Sequence, residues 1–258
     1  MLEQDRGLGQ DARVASGTFS LEQRDAVEWL RGLPSGQLDL LITDPPYESL
    51  EKHRAVGTTT RLSHSKGSSN DWFEIFPNTR FPELFAEVHR VLKKNAHFYL
   101  FCDQETMFVA KPLAEQAGFH FWKPLVWDKQ KIGMGYHYRA RYEFVLFFEK
   151  GKRKLNNLGV PDVLVAPRVF RGYPTEKPVE LAEVLIQQSS ELGDTVADPF
   201  FGSASTGVAA LRLGRNFQGS DTNAQALALG RERLLAAGGE ERARAEVADH
   251  ALPLPFAL

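Results

Sequence analysis

TVADPFFGSASTG, residues 195–207, joins a short apolar run to a Gly/Ser-rich turn and then to a helical pattern over 206–213. A brief apolar run bounded by turn residues reads as a buried strand. Gly202 lets the backbone turn tightly and approach a ligand, and the helix beginning near Ser205 offers unpaired N–H groups to a carboxylate or phosphate. The next apolar run ends in GSDTN, which puts Asp221 at its tip. An acid at that place commonly accepts the two hydroxyls of a ribose. No Gly-Lys-Ser/Thr follows the turn, so it is not a phosphate-cradling P-loop. The plain alternative is a tight strand-to-helix turn with an acidic N-cap.

Outward from this unit, apolar runs at 38–42, 97–102, 124–127, 144–148 and 217–219 also read as strands. Phe81, Leu84, Phe85, Val88, Val91 and Leu92 keep a helical period, with Pro82 placed for a first turn, and 179–188 reads similarly. Strands alternating with helices predict an α/β fold: a doubly wound, Rossmann-like, mainly parallel sheet with helices on both faces. A chain of 258 residues fits a single domain over 1–258, carrying a loop at 48–80 and a short insertion at about 150–172. The stretch 242–258 reads as a charged tail. No apolar stretch approaches the roughly 20 residues of a membrane span, and the N-terminus shows no apolar leader. The single cysteine, Cys102, forbids an internal disulfide and fits a reducing cytoplasm.

Net charge is −2, so bulk charge announces no polyanion. Its distribution says more. Residues 52–70 carry four Lys/Arg (Lys52, Arg54, Arg61, Lys66) and no acid. Residues 129–154 carry eight, among them Lys129, Lys131, Arg139 and Arg141, against two Glu. Such runs are usually solvated faces. Two of them around a reactive motif predict a phosphate-binding surface.

That motif is LDLLITDPPY, residues 38–47, where a strand ends in an acid, two prolines and a tyrosine. A chance Asp-Pro-Pro-Tyr in this length is on the order of one in a thousand. The prolines stiffen the turn and leave carbonyl oxygens free as acceptors. Asp44 adds a carboxylate acceptor, and Tyr47 a flat face. Together they suit a planar ring bearing an amino group. Acceptors off the ring plane favour a pyramidal nitrogen, which localises the lone pair as a bond forms.

With both motifs in view, the chain resembles the bacterial DNA amino-methyltransferases, which use S-adenosylmethionine to methylate the exocyclic amine of adenine or cytosine. DPPY at 44–47 is similar to their catalytic motif, and DPFFGSASTG at 198–207 to their cofactor motif. QRDAVEWLRGLPSGQLDLLIT, LVWDK, RYEFVLFFEKGK and YPTEKPVELAEVLI match the intervening pieces in order, over roughly residues 20–235. The catalytic motif comes first, which is the permuted beta arrangement. The resemblance implies catalytic roles for Asp44, Pro45, Pro46 and Tyr47. It implies cofactor contacts at Asp25, Thr43, Lys177, Asp198, Phe200, Gly202, Ser203 and Asp221. It implies double-stranded DNA as partner, leaves a homodimer and a cognate restriction enzyme open, and favours adenine N6 because Asp leads the motif. Ala204 and Ser205 stand where the family usually has Gly and Thr, and Ala there costs little unless φ must be positive.

Other chemistries fit less well. Carbon-5 methylation needs a nucleophilic cysteine, and Cys102 lies within an apparent strand. A zinc deaminase needs more Cys/His ligands, and the seven histidines show no metal spacing, so no metal is expected. Protein or RNA amide methyltransferases resemble the opposite motif order. A non-catalytic DNA-binding module needs neither Asp44 nor Asp221. Trp127, Tyr136, Tyr138 and Tyr142 are expected to wall a flat base site.

Overall fold

The fold is that of a computed structural model, which describes residues 17–48, 74–133, 137–170, 173 and 175–242. In chain order the described elements are β1 (Thr18–Gln23), α1 (Ala26–Arg31), β2 (Leu38–Thr43), α2 (Phe81–Val91), β3 (Leu92–Cys102), α3 (Gln104–Gln116), β4 (His120–Asp128) and β5 (Tyr142–Lys150). They continue with β6 (Val163–Val165), α4 (Val179–Ser189), β7 (Thr195–Asp198), α5 (Ser205–Arg212), β8 (Asn216–Asp221), α6 (Ala224–Ala236) and β9 (Glu240–Glu241). The strands form one sheet in the order β6-β4-β5-β3-β2-β7-β8-β1-β9. Strand β5 runs antiparallel to both neighbours, and every other described pair is parallel.

The central strands read as continuous apolar runs because helices cover both faces. In β2, Leu38, Leu40, Leu41 and Ile42 are all fully buried, although adjacent side chains point to opposite faces. Its one acid, Asp39, accepts from Thr195 N at 3.0 Å and pairs with Lys93 at 2.6 Å. One face packs residues of α1, α2 and α3, and the other those of α4, α5 and α6. Helix α2 buries Phe81, Leu84, Phe85, Val88 and Val91, the spacing that its sequence showed. Asp25, Asp103 and Asn223 cap α1, α3 and α6 by accepting from the first-turn N–H groups.

Two expectations are refined, and a third falls outside the description. The stretch 150–172 is not only loop, since β6 lies within it and pairs with β4 from Val126↔Val163 to Asp128↔Val165. The described end of loop 48–80 is held by a Tyr47↔Phe76 bridge and a 3-10 turn at Asn78–Arg80. The tail from residue 243 lies outside the described residues. No described helix is long and apolar enough to cross a membrane.

From β2 the chain moves to β3 on one side, and from β7 to β8 on the other. The carboxyl ends of β2 and β7 therefore lie side by side where the winding reverses, the place at which an open α/β sheet leaves a crevice for ligands.

Candidate active site

Strands β2 and β7 pair through Leu40↔Val196 and Leu41↔Ala197, so Thr43 and Asp198 emerge together. The Thr43 hydroxyl donates to Asp198 Oδ1 at 2.8 Å, and Phe200 N donates to the same oxygen at 3.0 Å. Burial pushes the Asp198 carboxyl up to about 7, against both hydrogen bonds. In the turn that follows, Gly202 has φ +49° and Ala204 φ +59°. The condition attached to Ala204 is met: its conformation is left-handed, which an alanine adopts at a cost. Gly202 N and Asn223 N donate to the two oxygens of Asp221 at 3.0 and 2.9 Å, fixing the acid at the tip of β8. Burial raises the Asp221 pKa despite these bonds.

The catalytic-motif turn faces the same cleft, about 480 Å³ in volume, which Asp44, Tyr47, Lys177, Asp198, Gly202 and Asp221 help to line. Its two proline carbonyls differ. Pro46 O accepts Phe76 N at 2.7 Å, so it is engaged rather than free. No described residue donates to the Pro45 carbonyl. Tyr47 is only 7% exposed and packs in the apolar layer with Phe76. It meets the cleft with that small exposed part.

Asp44 is joined to Lys177. The Lys177 ammonium also lies 3.6 Å from Glu143 Oε2, while Glu143 Oε1 is bound by Lys129. Two carboxylates and two ammoniums thus share the cleft. Burial raises the Asp44 pKa in spite of Lys177, and Glu143 adds to that rise. Burial opposes both charges of the other pair, yet Lys177 and Lys129 hold Glu143 low, and Asp44 and Glu143 hold Lys177 high. The Lys177 nitrogen also stands 5.5 Å from the Phe101 ring centre and 6.0 Å from that of Trp127.

The remaining predicted residues divide. Phe200 and Ser203 line the cleft, and so does Asp25, which caps α1 and takes two hydrogen bonds from Arg80 at 2.8 and 2.9 Å. Arg80 holds the Asp25 carboxyl below its usual range. Lys129 is paired with Glu143, and Arg141 is tied to Asp128 at 2.6 and 2.7 Å. Lys131, over the Phe170 ring at 4.6 Å, and Arg139 are exposed. Lys52, Arg54, Arg61 and Lys66 lie outside the described residues, as does Tyr136. Of the expected aromatic wall, Trp127 lines the cleft while donating to Ala166 O at 2.9 Å, but Tyr138 and Tyr142 are exposed and do not. Cys102 is buried, and burial pushes its thiol up, away from the reactive thiolate.

Glu143, Arg80, Arg168 and Tyr173 line the cleft without having been anticipated. Glu143 carried a signal: an acid at the margin of an apolar strand, as at Asp44. Because β5 is antiparallel, its start, not its end, meets the cleft, with Phe144 opposite Cys102 at the end of β3.

A family model described as DNA methylase matches residues 38–166 and 156–232. The chain is 29% identical over 266 residues to the DNA adenine methyltransferase YhdJ of Escherichia coli K12, covering 87% of this chain and 85% of that protein. It is 27% identical over 238 residues to the type II methyltransferase M.HpaI of Haemophilus parainfluenzae, covering 81% and 72%. Among solved structures, the M1.HpyAVI–SAM complex aligns with TM-score 0.62 at 22% identity, over 84% of this chain and all of that one. The cytosine-N4-specific PvuII DNA methyltransferase aligns with TM-score 0.65 at 17% identity, over 88% and 95%.

Proposed function

This chain belongs to the N6/N4 DNA methylase family, and from that premise we propose that it methylates the exocyclic amine of a base flipped out of double-stranded DNA, adenine N6 rather than cytosine N4. The observation that carries the reading is the meeting of Asp44 and the Asp198–Asp221 turn in one cleft.

S-adenosylmethionine supplies, when bound, an electrophilic methyl group on a sulfonium that leaves as a neutral thioether. The residues present fit it. Asp221 accepts from backbone N–H groups of Gly202, Thr222 and Asn223, and its two oxygens still have capacity for ribose hydroxyls. The positive φ at Gly202 and Ala204 brings the turn close to that acid.

In the same cleft, the Asp44 carboxylate and the Pro45 carbonyl are the acceptors for the two amine hydrogens. They favour the pyramidal nitrogen and so stabilise the transition state more than the flat ground state. An amine that gains a methyl group must shed one proton, and Asp44, made more basic by burial, would take it. A base inside the duplex cannot reach this turn, so the target has to be extruded.

Adenine is favoured because Asp leads the motif and because a relative aligned over 85% of its own length is named an adenine enzyme. Asp44→Ala should abolish transfer of labelled methyl groups to duplex DNA while calorimetry still detects cofactor binding. Turnover like that of the unaltered protein would contradict the role given to Asp44.

A further inference from the structure

Resting on the reading of Asp44 as the amine acceptor, we infer that Glu143 is a positioning residue, a second anchor onto which Lys177 shifts its ion pair when the target amine takes Asp44. The ligand-free cleft poses a problem for that reading. Asp44 is already occupied by Lys177, and an acceptor held by an ammonium is a poor acceptor for an amine. Expelling Lys177 without a new partner would leave a charge in a site where its side chain is only 14% exposed.

The structure supplies that partner. Glu143 Oε2 lies 3.6 Å from the Lys177 nitrogen, within ion-pair range but beyond a hydrogen bond. Oε2 is buried and has no hydrogen-bond partner, as is Asp44 Oδ1. Glu143 Oε1 is held by Lys129, which fixes the carboxylate while leaving Oε2 turned toward Lys177. Phe101 and Trp127 flank the ammonium, so a shift of about 1 Å brings it into hydrogen-bond reach of Glu143 without removing it from its aromatic surroundings. The number of charges in the cleft is unchanged, and no bond is made or broken.

The test is a double-mutant comparison of turnover at saturating S-adenosylmethionine and DNA. Glu143→Gln removes the second anchor and should strand Lys177 on Asp44, lowering kcat about tenfold or more with little change in cofactor affinity. Adding Lys177→Met in that background should free Asp44 and recover a part of the lost turnover. Full activity in Glu143→Gln, or no recovery in the double variant, would overturn the inference. A merely structural Glu143 predicts the second change to be neutral or worse. Should Glu143→Gln not fold, Glu143→Asp keeps the charge for Lys129 while withdrawing the oxygen from Lys177, and the same recovery is required. Failure of the underlying reading shows separately, as an Asp44→Ala variant that still methylates DNA.

Discussion

The Thr43 hydroxyl and Asp198 Oδ1 meet at 2.8 Å across 155 residues of sequence, tying the ends of the two strands that carry the reactive motifs. Thr43→Val keeps the shape and removes the donor. Because Phe200 N still serves the same oxygen, the loss should be about 1 kcal/mol, at the low end for a buried partner. Urea denaturation checks this, and unchanged stability would mark the bond as incidental.

Asp198 also predicts a pH dependence. Its folded value of about 7 lies above the usual 3.8, so between those values the folded state binds the proton more often than the unfolded state. Stability therefore falls as pH rises from about 4 to about 7, by up to about 4 kcal/mol from this group. His97 acts oppositely: burial lowers it to about 4 from 6.5, so its contribution is lost as pH falls through that window. Asp198→Asn should remove the first slope and leave the second, so the variant's stability rises relative to that of the parent between about pH 4 and about pH 7. Parallel profiles would contradict the assignment.

Ala204 is buried at φ +59°, a strain of roughly 1–2 kcal/mol for a residue with a Cβ. Ala204→Gly relieves it but gives up a buried methyl, about 0.8 kcal/mol, and loosens the unfolded chain by about 0.4–1 kcal/mol. The terms nearly cancel, so thermal unfolding should place the variant within about 1 kcal/mol of the parent. A gain above about 2 kcal/mol would show that nothing offsets the strain.

What the sequence made legible follows the physics of burial. Strands β2 and β7 were readable because a central parallel strand is apolar on both faces, and Asp44, Asp198 and Asp221 because an acid at such a strand's end is conspicuous. Helix α6 was not, since AQALALGRERLLA scatters its apolar residues and contains Gly230, where a Cβ would come within 2.9 Å of Phe201. Strand β6 has only three residues. Glu143 hid at the wrong end of its strand, because the reversal of β5 is a property of the sheet. Arg80 joins Asp25 from 55 residues away, a pairing no local pattern reveals.

For DNA, exposure separates the basic residues. Neutralising Lys131 and Arg139 together should reduce the slope of log affinity against log salt by up to about 1.8, near 0.9 per phosphate contact. Lys129→Met should leave that slope unchanged, since its charge is spent on Glu143. The opposite pattern would relocate the phosphate surface.

The central claim is methyl transfer to an exocyclic amine, assigned to adenine. Duplex DNA incubated with the protein and S-adenosylmethionine, digested to nucleosides and read by mass spectrometry, tests it directly, with Asp44→Ala as the control. The account predicts N6-methyladenine from the unaltered protein and none from the variant. N4-methylcytosine alone would contradict the adenine assignment, and the absence of any methylated amine would contradict the account itself.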